Sequence, residues 1–161
     1  MFVQDNKLAT SRLIKEYEAH NNIVIGVDFD DTLFDTHDRK LQHIPFLVGL
    51  LSQLQKDFNC TLCVWTANVD EQLVRSTWAT LGLTIDYYNE SPLKKFNKVK
   101  PYFNILLDDR AGLDSAFRTL YSLFEHLTLK GKTDENDSKL WINTTYLHSN
   151  EISIRWTTST T

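Results

Sequence analysis

The sequence predicts an α/β domain in which helices flank a parallel β-sheet. Short, continuous apolar runs alternate with longer segments whose apolar residues recur at steps of three and four, and this alternation is typical of parallel sheets with right-handed crossovers. The apolar runs also end abruptly at acidic or hydroxyl residues. Because chemistry in such sheets collects at the carboxyl ends of the strands, these endings indicate a functional site. A length of 161 residues fits one domain of ordinary size.

The first half of the chain contains two predicted strands. A helix is expected over residues 7–20, and the strand that follows, 23–27, is apolar throughout and therefore suited to burial on both faces. Apolar residues at helical spacing predict a helix over 41–58. The next apolar run, 62–65, predicts the second strand.

The second half repeats this alternation. Asp70 can cap a helix that Gly82 can end. A third strand is expected at 84–88 and a fourth at 103–107. The last helix of the pattern carries apolar residues along one face between 113 and 127.

We expect three parts along the chain. Residues 1–22 form a helical extension, residues 23–127 form the α/β core, and residues 128–161 form a tail. In the tail, a polar loop precedes two predicted strands at 140–147 and 152–156, which form a β-hairpin. This hairpin is expected to pack on a sheet edge rather than to cover the functional site.

Composition excludes several classes of protein. The 17 basic and 21 acidic residues give a formal net charge of −4, which does not suggest a basic nucleic-acid binder. No stretch of about 18 apolar residues occurs, so no membrane span is expected, and no secretory signal is recognisable. Cys60 and Cys63 fall in and beside a predicted buried strand without a second Cys/His pair, so we expect structural thiols and a cytoplasmic location.

Acidic and hydroxyl side chains at three strand ends have the chemistry that phosphoryl transfer requires. An anionic nucleophile must approach an anionic phosphate, so such a site needs a hard cation and fixed hydrogen-bond donors. Asp28 and Asp108 could hold Mg²⁺, and Asp109 could hold one of its waters. Asp28 could also attack phosphorus. Asp30 could protonate the leaving oxygen and then activate water, while Thr66 donates a hydrogen bond to the phosphate.

The order of these parts resembles the haloacid dehalogenase-like phosphatase superfamily over residues 23–127. The first motif of that superfamily is an apolar strand ending in Asp-x-Asp-x-Thr, which matches Asp28-Phe29-Asp30-Asp31-Thr32. The second is a strand ending in Ser or Thr, matching Thr66, and the third is a lysine. The fourth is an acidic pair after a strand, matching Asp108-Asp109.

The resemblance implies a Rossmann-like fold and a magnesium-dependent phosphomonoesterase that forms an aspartyl-phosphate on Asp28. It makes Asp30 the general acid and base, with its backbone carbonyl as a further metal ligand. It also implies contacts with the substrate at five positions: Thr32, Thr66, Ala67, Asn68 and Arg110. Arg110 has a second interpretation, an ion pair that orients the acidic loop. Asp31 stands where many relatives have Gly, although Asp is common there too.

The lysine of the third motif has two candidates. Lys98 has the spacing to Asp108 that is typical of deoxyribonucleotidases, and Lys100 has the spacing of some other compact members of the superfamily. We name both residues as catalytic candidates.

The substrate expected from the resemblance is a nucleotide, the phosphorylated end of a nucleic acid or another phosphorylated small molecule. The stretches 32–62 and 66–98 are too short for a cap domain, so the site should be open. The stretches 86–92 and 107–110 resemble small capless phosphatases of bacteria and phages, and the latter also resembles the phosphatase half of polynucleotide kinase-phosphatases and the 5′-nucleotidases of deoxynucleotides. The sequence leaves homo-oligomerisation open.

Two other functions compete with this prediction. One is a non-catalytic module of the same fold that binds a phosphorylated ligand or a protein. The other is a phospho-accepting receiver domain, which also uses acidic residues, Thr and Lys. A receiver carries its acidic pair on the first strand, whereas here the pair comes last, which disfavours it.

Overall fold

The computed structural model describes residues 6–93 and 101–134, with the side chains of 132–134 left out. This part of the chain forms a mixed α/β structure in which helices flank an all-parallel, four-stranded sheet. The elements in chain order are α1 (Asn6–His20), β1 (Val24–Val27), α2 (His43–Asp57), β2 (Thr61–Val64), α3 (Glu71–Thr80), β3 (Tyr87–Tyr88), β4 (Ile105–Leu107) and α4 (Leu113–Asp134).

The strand order β3-β2-β1-β4 places β1 in the middle of the sheet. Val27, the last residue of β1, lies in register with Val64 of β2 and Leu107 of β4. Because all three strands run in the same direction, the residues that follow them emerge at one edge. The backbone NH of Asp28 donates to the carbonyl of Leu107 at 2.9 Å, which extends the β1–β4 ladder into the loops.

The core forms where the strands meet the helices. On one face of the sheet, Ile25, Val27, Leu62 and Val64 are buried in a cluster with apolar side chains of all four helices. The largest fully buried helical residues include Leu13, Leu47, Leu51, Leu54, Trp78 and Leu120. On the opposite face Gly26 lies under Phe103, whose ring atoms would be 2.7 Å from a Cβ at that position. The ring of Phe103 also meets Trp65 at a centroid distance of 5.9 Å.

Local signals in the sequence correctly located the boundaries of α3. The Asp70 carboxylate caps this helix by accepting the backbone NH of Leu73 at 2.9 Å. Gly82 follows the helix with φ of +71°, a conformation that glycine adopts without steric cost. The predicted bounds of the helices at 7–20 and 41–58 agree with α1 and α2 within two residues.

The third strand is shorter than predicted. The expected strand at 84–88 is reduced to Tyr87–Tyr88. The side-chain amide of Gln55 forms hydrogen bonds with the backbone of Thr84 instead. It accepts the Thr84 NH at 3.0 Å and donates to the Thr84 carbonyl at 2.9 Å. Since these backbone groups are already paired, they cannot take part in the ladder.

Both cysteines are free and buried. Burial raises the pKa of the Cys60 thiol to about 12 and that of Cys63 to about 12 as well. Neither side chain is therefore a reactive thiolate at neutral pH, in agreement with the prediction of structural cysteines.

No insertion of domain size interrupts the described part of the core. Between Thr32 and Leu62 the chain forms only α2, and between Thr66 and residue 93 it forms only α3 and β3. Within residues 6–93 and 101–134, no helix combines the length and the apolar character that a membrane span requires. The predicted hairpin at 140–156 lies outside the described residues.

Candidate active site

Three aspartates converge at the carboxyl ends of β1 and β4. Asp28 follows β1, and Asp108 and Asp109 follow β4. One carboxylate oxygen from each lies within 4.8 Å of the others. We call these three residues the acidic group. The sequence predicted that these residues follow two strands, and the parallel pairing of β1 with β4 brings them together.

Thr32 connects the two strands of the acidic group. Its side chain is fully buried. The hydroxyl donates to Oδ2 of Asp28 at 3.2 Å and accepts the backbone NH of Asp109 at 3.0 Å. Since both hydrogen-bonding functions of the hydroxyl are used within the protein, Thr32 orients the acidic group rather than pointing a free donor towards a substrate.

The electrostatics of the acidic group favour a cation. The pKa of Asp28 is raised to about 6, first because burial disfavours the charged form and then because the carboxylates of Asp108 and Asp109 repel it. Hydrogen bonds from the Phe29 backbone and the Thr32 hydroxyl offset only part of this effect. A divalent cation between the three carboxylates would relieve the repulsion.

A tight turn that includes Asp30 follows β1. Asp31 has φ of +55°, in the left-handed region, where glycine is the residue most easily accommodated. Its backbone NH donates to the carbonyl of Phe34 at 2.7 Å, and the rings of Phe29 and Phe34 stack at a centroid distance of 5.3 Å. These contacts fix the path of the chain on both sides of Asp30.

The Asp31 side chain anchors the loop beyond this turn. Its carboxylate is buried, with 6% of its surface exposed, and Oδ2 contacts Nδ1 of His37 at 2.7 Å and the Arg39 guanidinium at 3.2 Å. Burial alone would raise the pKa of Asp31, but these two partners hold it below its ordinary value. The ion pair therefore ties residues 37–39 to the base of the loop.

Asp30 does not join the acidic group. Its Oδ1 accepts the hydroxyl of Thr36 at 2.7 Å and the side-chain NH of Asn68 at 3.0 Å. Its Oδ2 has a longer contact with the same nitrogen of Asn68, at 3.3 Å. The carboxylate is thus held by neutral donors from the loop after β1 and from the loop after β2.

Thr66 lies at the end of β2, as the sequence predicted, and is buried. The side chain of Asn89 forms two hydrogen bonds with its backbone: it accepts the Thr66 NH and donates to the Thr66 carbonyl, both at 2.8 Å. Its hydroxyl oxygen accepts the backbone NH of Asn68 at 3.0 Å. The hydroxyl proton of Thr66 has no acceptor among the residues that the structure describes, so it can donate to a ligand.

The remaining residues expected to bind substrate are placed as follows. Asn68 contacts Asp30, as described above, and Ala67 is exposed beside Thr66. Arg110 is exposed, and its backbone NH donates to Oδ1 of Asp108 at 2.8 Å. Its guanidinium forms no ion pair with any described residue. Lys98 and Lys100 lie outside the described residues, so the lysine of the site stays a prediction.

Two residues at the site had not been predicted from the sequence. Thr36 lies in a loop without periodicity, and no signal pointed to it. Asn89 directly follows β3, so the rule that drew attention to residues after β1, β2 and β4 also applied to it.

The acidic group has the ligand chemistry of a site for a hard divalent cation. Carboxylate oxygens are the ligands that Mg²⁺, Ca²⁺ and Mn²⁺ prefer. The three side chains supply three oxygens, which leaves coordination positions for water or a substrate oxygen. The side chains are compatible with Mg²⁺ and do not select it over the other hard cations.

Comparisons of the chain with protein-family models, with curated proteins and with solved structures found no match.

Proposed function

We propose that the chain is a Mg²⁺-dependent phosphomonoester hydrolase of the haloacid dehalogenase type, in which Asp28 is the nucleophile. The observation that carries the proposal is the convergence of Asp28, Asp108 and Asp109 at one sheet edge. A strand order with β1 in the middle and reactive residues after β1, β2 and β4 supports a Rossmann-like sheet of that type. The match of sequence motifs adds to this support.

The acidic group would hold the cation, which when bound supplies positive charge that lowers the repulsion between a carboxylate and a phosphate. Thr32 keeps Asp28 and the loop of Asp109 in a fixed relation through its two hydrogen bonds. Thr66 offers its hydroxyl proton to a phosphate oxygen. Lys98 or Lys100 is proposed to supply a further positive charge.

Hydrolysis proceeds in two steps in this proposal. An oxygen of Asp28 forms a bond to phosphorus while the bond to the leaving oxygen breaks, and protonated Asp30 gives its proton to that oxygen. In the second step Asp30 takes a proton from water, whose oxygen attacks phosphorus. The bond between Asp28 and phosphorus then breaks, releasing inorganic phosphate and restoring both carboxyl groups.

The proposed substrates are nucleotides, phosphorylated ends of nucleic acids or other phosphorylated small molecules. The described stretches after β1 and β2 contain no insertion that could enclose a small ligand, which supports an open site that admits bulky phosphates. A reducing, cytoplasmic environment agrees with two free thiols.

The test is hydrolysis of an aryl phosphate in the presence of Mg²⁺. We expect Asp28→Asn to lower kcat/KM at least about a thousandfold, because an amide cannot act as the nucleophile. Asp57→Asn is the matched control, since Asp57 is exposed at the end of α2, remote from the site. Equal rates in wild type and Asp28→Asn would contradict the proposal. Phosphate binding without turnover would instead indicate a non-catalytic module.

A further inference from the structure

The carboxylate of Asp30 is held by donors from two separate loops. Thr36 comes from the loop between β1 and α2, and Asn68 comes from the loop between β2 and α3. Both donate to Oδ1, at 2.7 and 3.0 Å, whereas Oδ2 receives only the longer 3.3 Å contact from Asn68. We call Thr36 and Asn68 the Asp30 clamp.

Each donor of the clamp is fixed in its own loop. The side-chain oxygen of Asn68 accepts the backbone NH of Asp70 at 2.9 Å, and the backbone NH of Asn68 donates to Thr66 at 3.0 Å. The first of these bonds assigns the oxygen of the amide to the backbone and its nitrogen to Asp30. Asn68 therefore cannot turn an oxygen towards the carboxylate without losing a hydrogen bond.

The loop that carries Thr36 is held at both ends. The carboxylate of Asp35 accepts three backbone NH groups in succession, from Arg39 at 2.8 Å, Lys40 at 2.7 Å and Leu41 at 3.3 Å. This network accommodates the left-handed φ of +57° at Lys40. At the other end the buried Asp31 carboxylate contacts His37 and Arg39, as described above. Thr36 thus lies between two anchored segments.

Two donors on one oxygen make the two oxygens of Asp30 unequal. Each carboxylate oxygen has about two lone-pair sites, and both sites of Oδ1 are taken. Oδ2 is therefore the oxygen left to meet a leaving group. The clamp selects the reactive oxygen and its direction.

We infer that Thr36 and Asn68 are positioning residues that present Oδ2 of Asp30 to the leaving oxygen; this inference rests on the function proposed above. The proton moves from Oδ2 of Asp30 to the leaving oxygen as its bond to phosphorus breaks, and the electron pair of that bond stays on the leaving oxygen. Substrates whose leaving group departs as a stable anion need no such proton. The clamp then matters for alkyl phosphates and much less for activated aryl phosphates.

The experiment compares kcat/KM for an alkyl phosphate and for 4-nitrophenyl phosphate, with Mg²⁺ present. The value of kcat/KM reports only the steps up to release of the leaving group, so the later hydrolysis of the aspartyl-phosphate does not affect it. We expect Thr36→Val to lower kcat/KM about 10- to 100-fold for the alkyl phosphate and less than about threefold for the activated one. Thr36→Ser, which restores a hydroxyl, should recover most of the loss.

Thr80→Val is the matched control, because the exposed Thr80 hydroxyl donates to a backbone carbonyl in α3, away from the site. Should Thr36→Val fail to fold, Asn68→Ala carries the same expectation from the other loop. A similar loss on both substrates, or no loss on either, would overturn the inference. Hydrolysis that does not depend on Asp28 would overturn the proposed function itself, and the two failures are therefore distinguishable.

Discussion

Asp28 and Asp30 are two residues apart, yet the protein surrounds their carboxyl groups in opposite ways. Asp28 faces two other carboxylates within 4.8 Å, and burial with repulsion raises its pKa to about 6. Asp30 faces neutral donors, with Thr36 and Asn68 on the same oxygen. One environment is electrostatically unfavourable without a cation, whereas the other satisfies a carboxylate and fixes its orientation.

This difference supports the separate roles proposed for the two aspartates. A nucleophile that shares a cation must lie beside other anions. Their mutual repulsion is unfavourable in the metal-free state, and relief of that repulsion contributes to the affinity for metal. An acid and base must instead be oriented, which hydrogen bonds accomplish without adding charge. The turn at Asp31, with φ of +55°, returns the chain so that Thr36 can donate to Asp30, whereas Asp28 lies beside the loop after β4.

Apart from the loss of turnover in Asp28→Asn, the largest expected effect concerns metal binding by the acidic group. Replacing Asp108 with Asn removes one of three carboxylate ligands, and we expect the Kd for Mg²⁺ to rise at least about 100-fold. Isothermal titration calorimetry on the purified variants measures this directly. Asp57→Asn, which alters an exposed and remote carboxylate, should bind as wild type does. Unchanged affinity in Asp108→Asn would show that the acidic group is not the metal site.

The second effect concerns stability without metal. Asp28 has an ordinary pKa of 3.8 in the unfolded chain and about 6 in the folded protein. A raised pKa means that the folded state binds the proton more tightly, so the contribution to stability is present below pH 3.8 and is lost as the pH rises through about 6. Above that pH the ionised carboxylate destabilises the metal-free protein, and Asp28→Asn removes this penalty.

We therefore expect Asp28→Asn to increase the free energy of unfolding at pH 7.5 in a chelator. A change of pKa from 3.8 to about 6 corresponds to at most about 3 kcal/mol, and solvent around the partly exposed carboxylate reduces this to about 1–2 kcal/mol. Urea unfolding at pH 7.5 and pH 4 measures the gain and its disappearance in acid. If Asp28→Asn were less stable than wild type at pH 7.5, the ionised carboxylate of Asp28 would not destabilise the folded, metal-free protein.

The residues of the acidic group could be predicted from the sequence because their positions at strand ends depend on local patterns. A short apolar run predicts a buried strand, and the first polar residue after it marks the carboxyl end. Asp28 and Asp108 come together because β1 pairs with β4, a pairing that the sequence left open. The same logic located Thr66 after β2.

The Asp30 clamp could not be predicted, because it depends on geometry that no local pattern encodes. Thr36 reaches Asp30 only because the turn at Asp31 reverses the chain and because the stacked rings of Phe29 and Phe34 hold that reversal. The contact between Asn68 and Asp30 joins residues 38 positions apart. The late start of the third strand has a similar cause, since Gln55 on α2 forms hydrogen bonds with the backbone NH and carbonyl of Thr84.

The smallest expected effect concerns Asp30. It is a loss of stability, whereas Asp28→Asn is expected to increase stability. Asp30→Asn replaces one carboxylate oxygen with an NH₂ group, which cannot accept from Thr36 or Asn68. The oxygen that remains can take the place of Oδ1 and accept from both donors, but a neutral amide accepts more weakly than a carboxylate, so we expect the free energy of unfolding at pH 7.5 in a chelator to fall by about 1 kcal/mol. Urea unfolding beside Asp28→Asn measures both signs in one series. If both substitutions stabilised the metal-free protein, the two carboxyl groups would share one unfavourable environment, and the contrast between a repelled Asp28 and a hydrogen-bonded Asp30 would not hold.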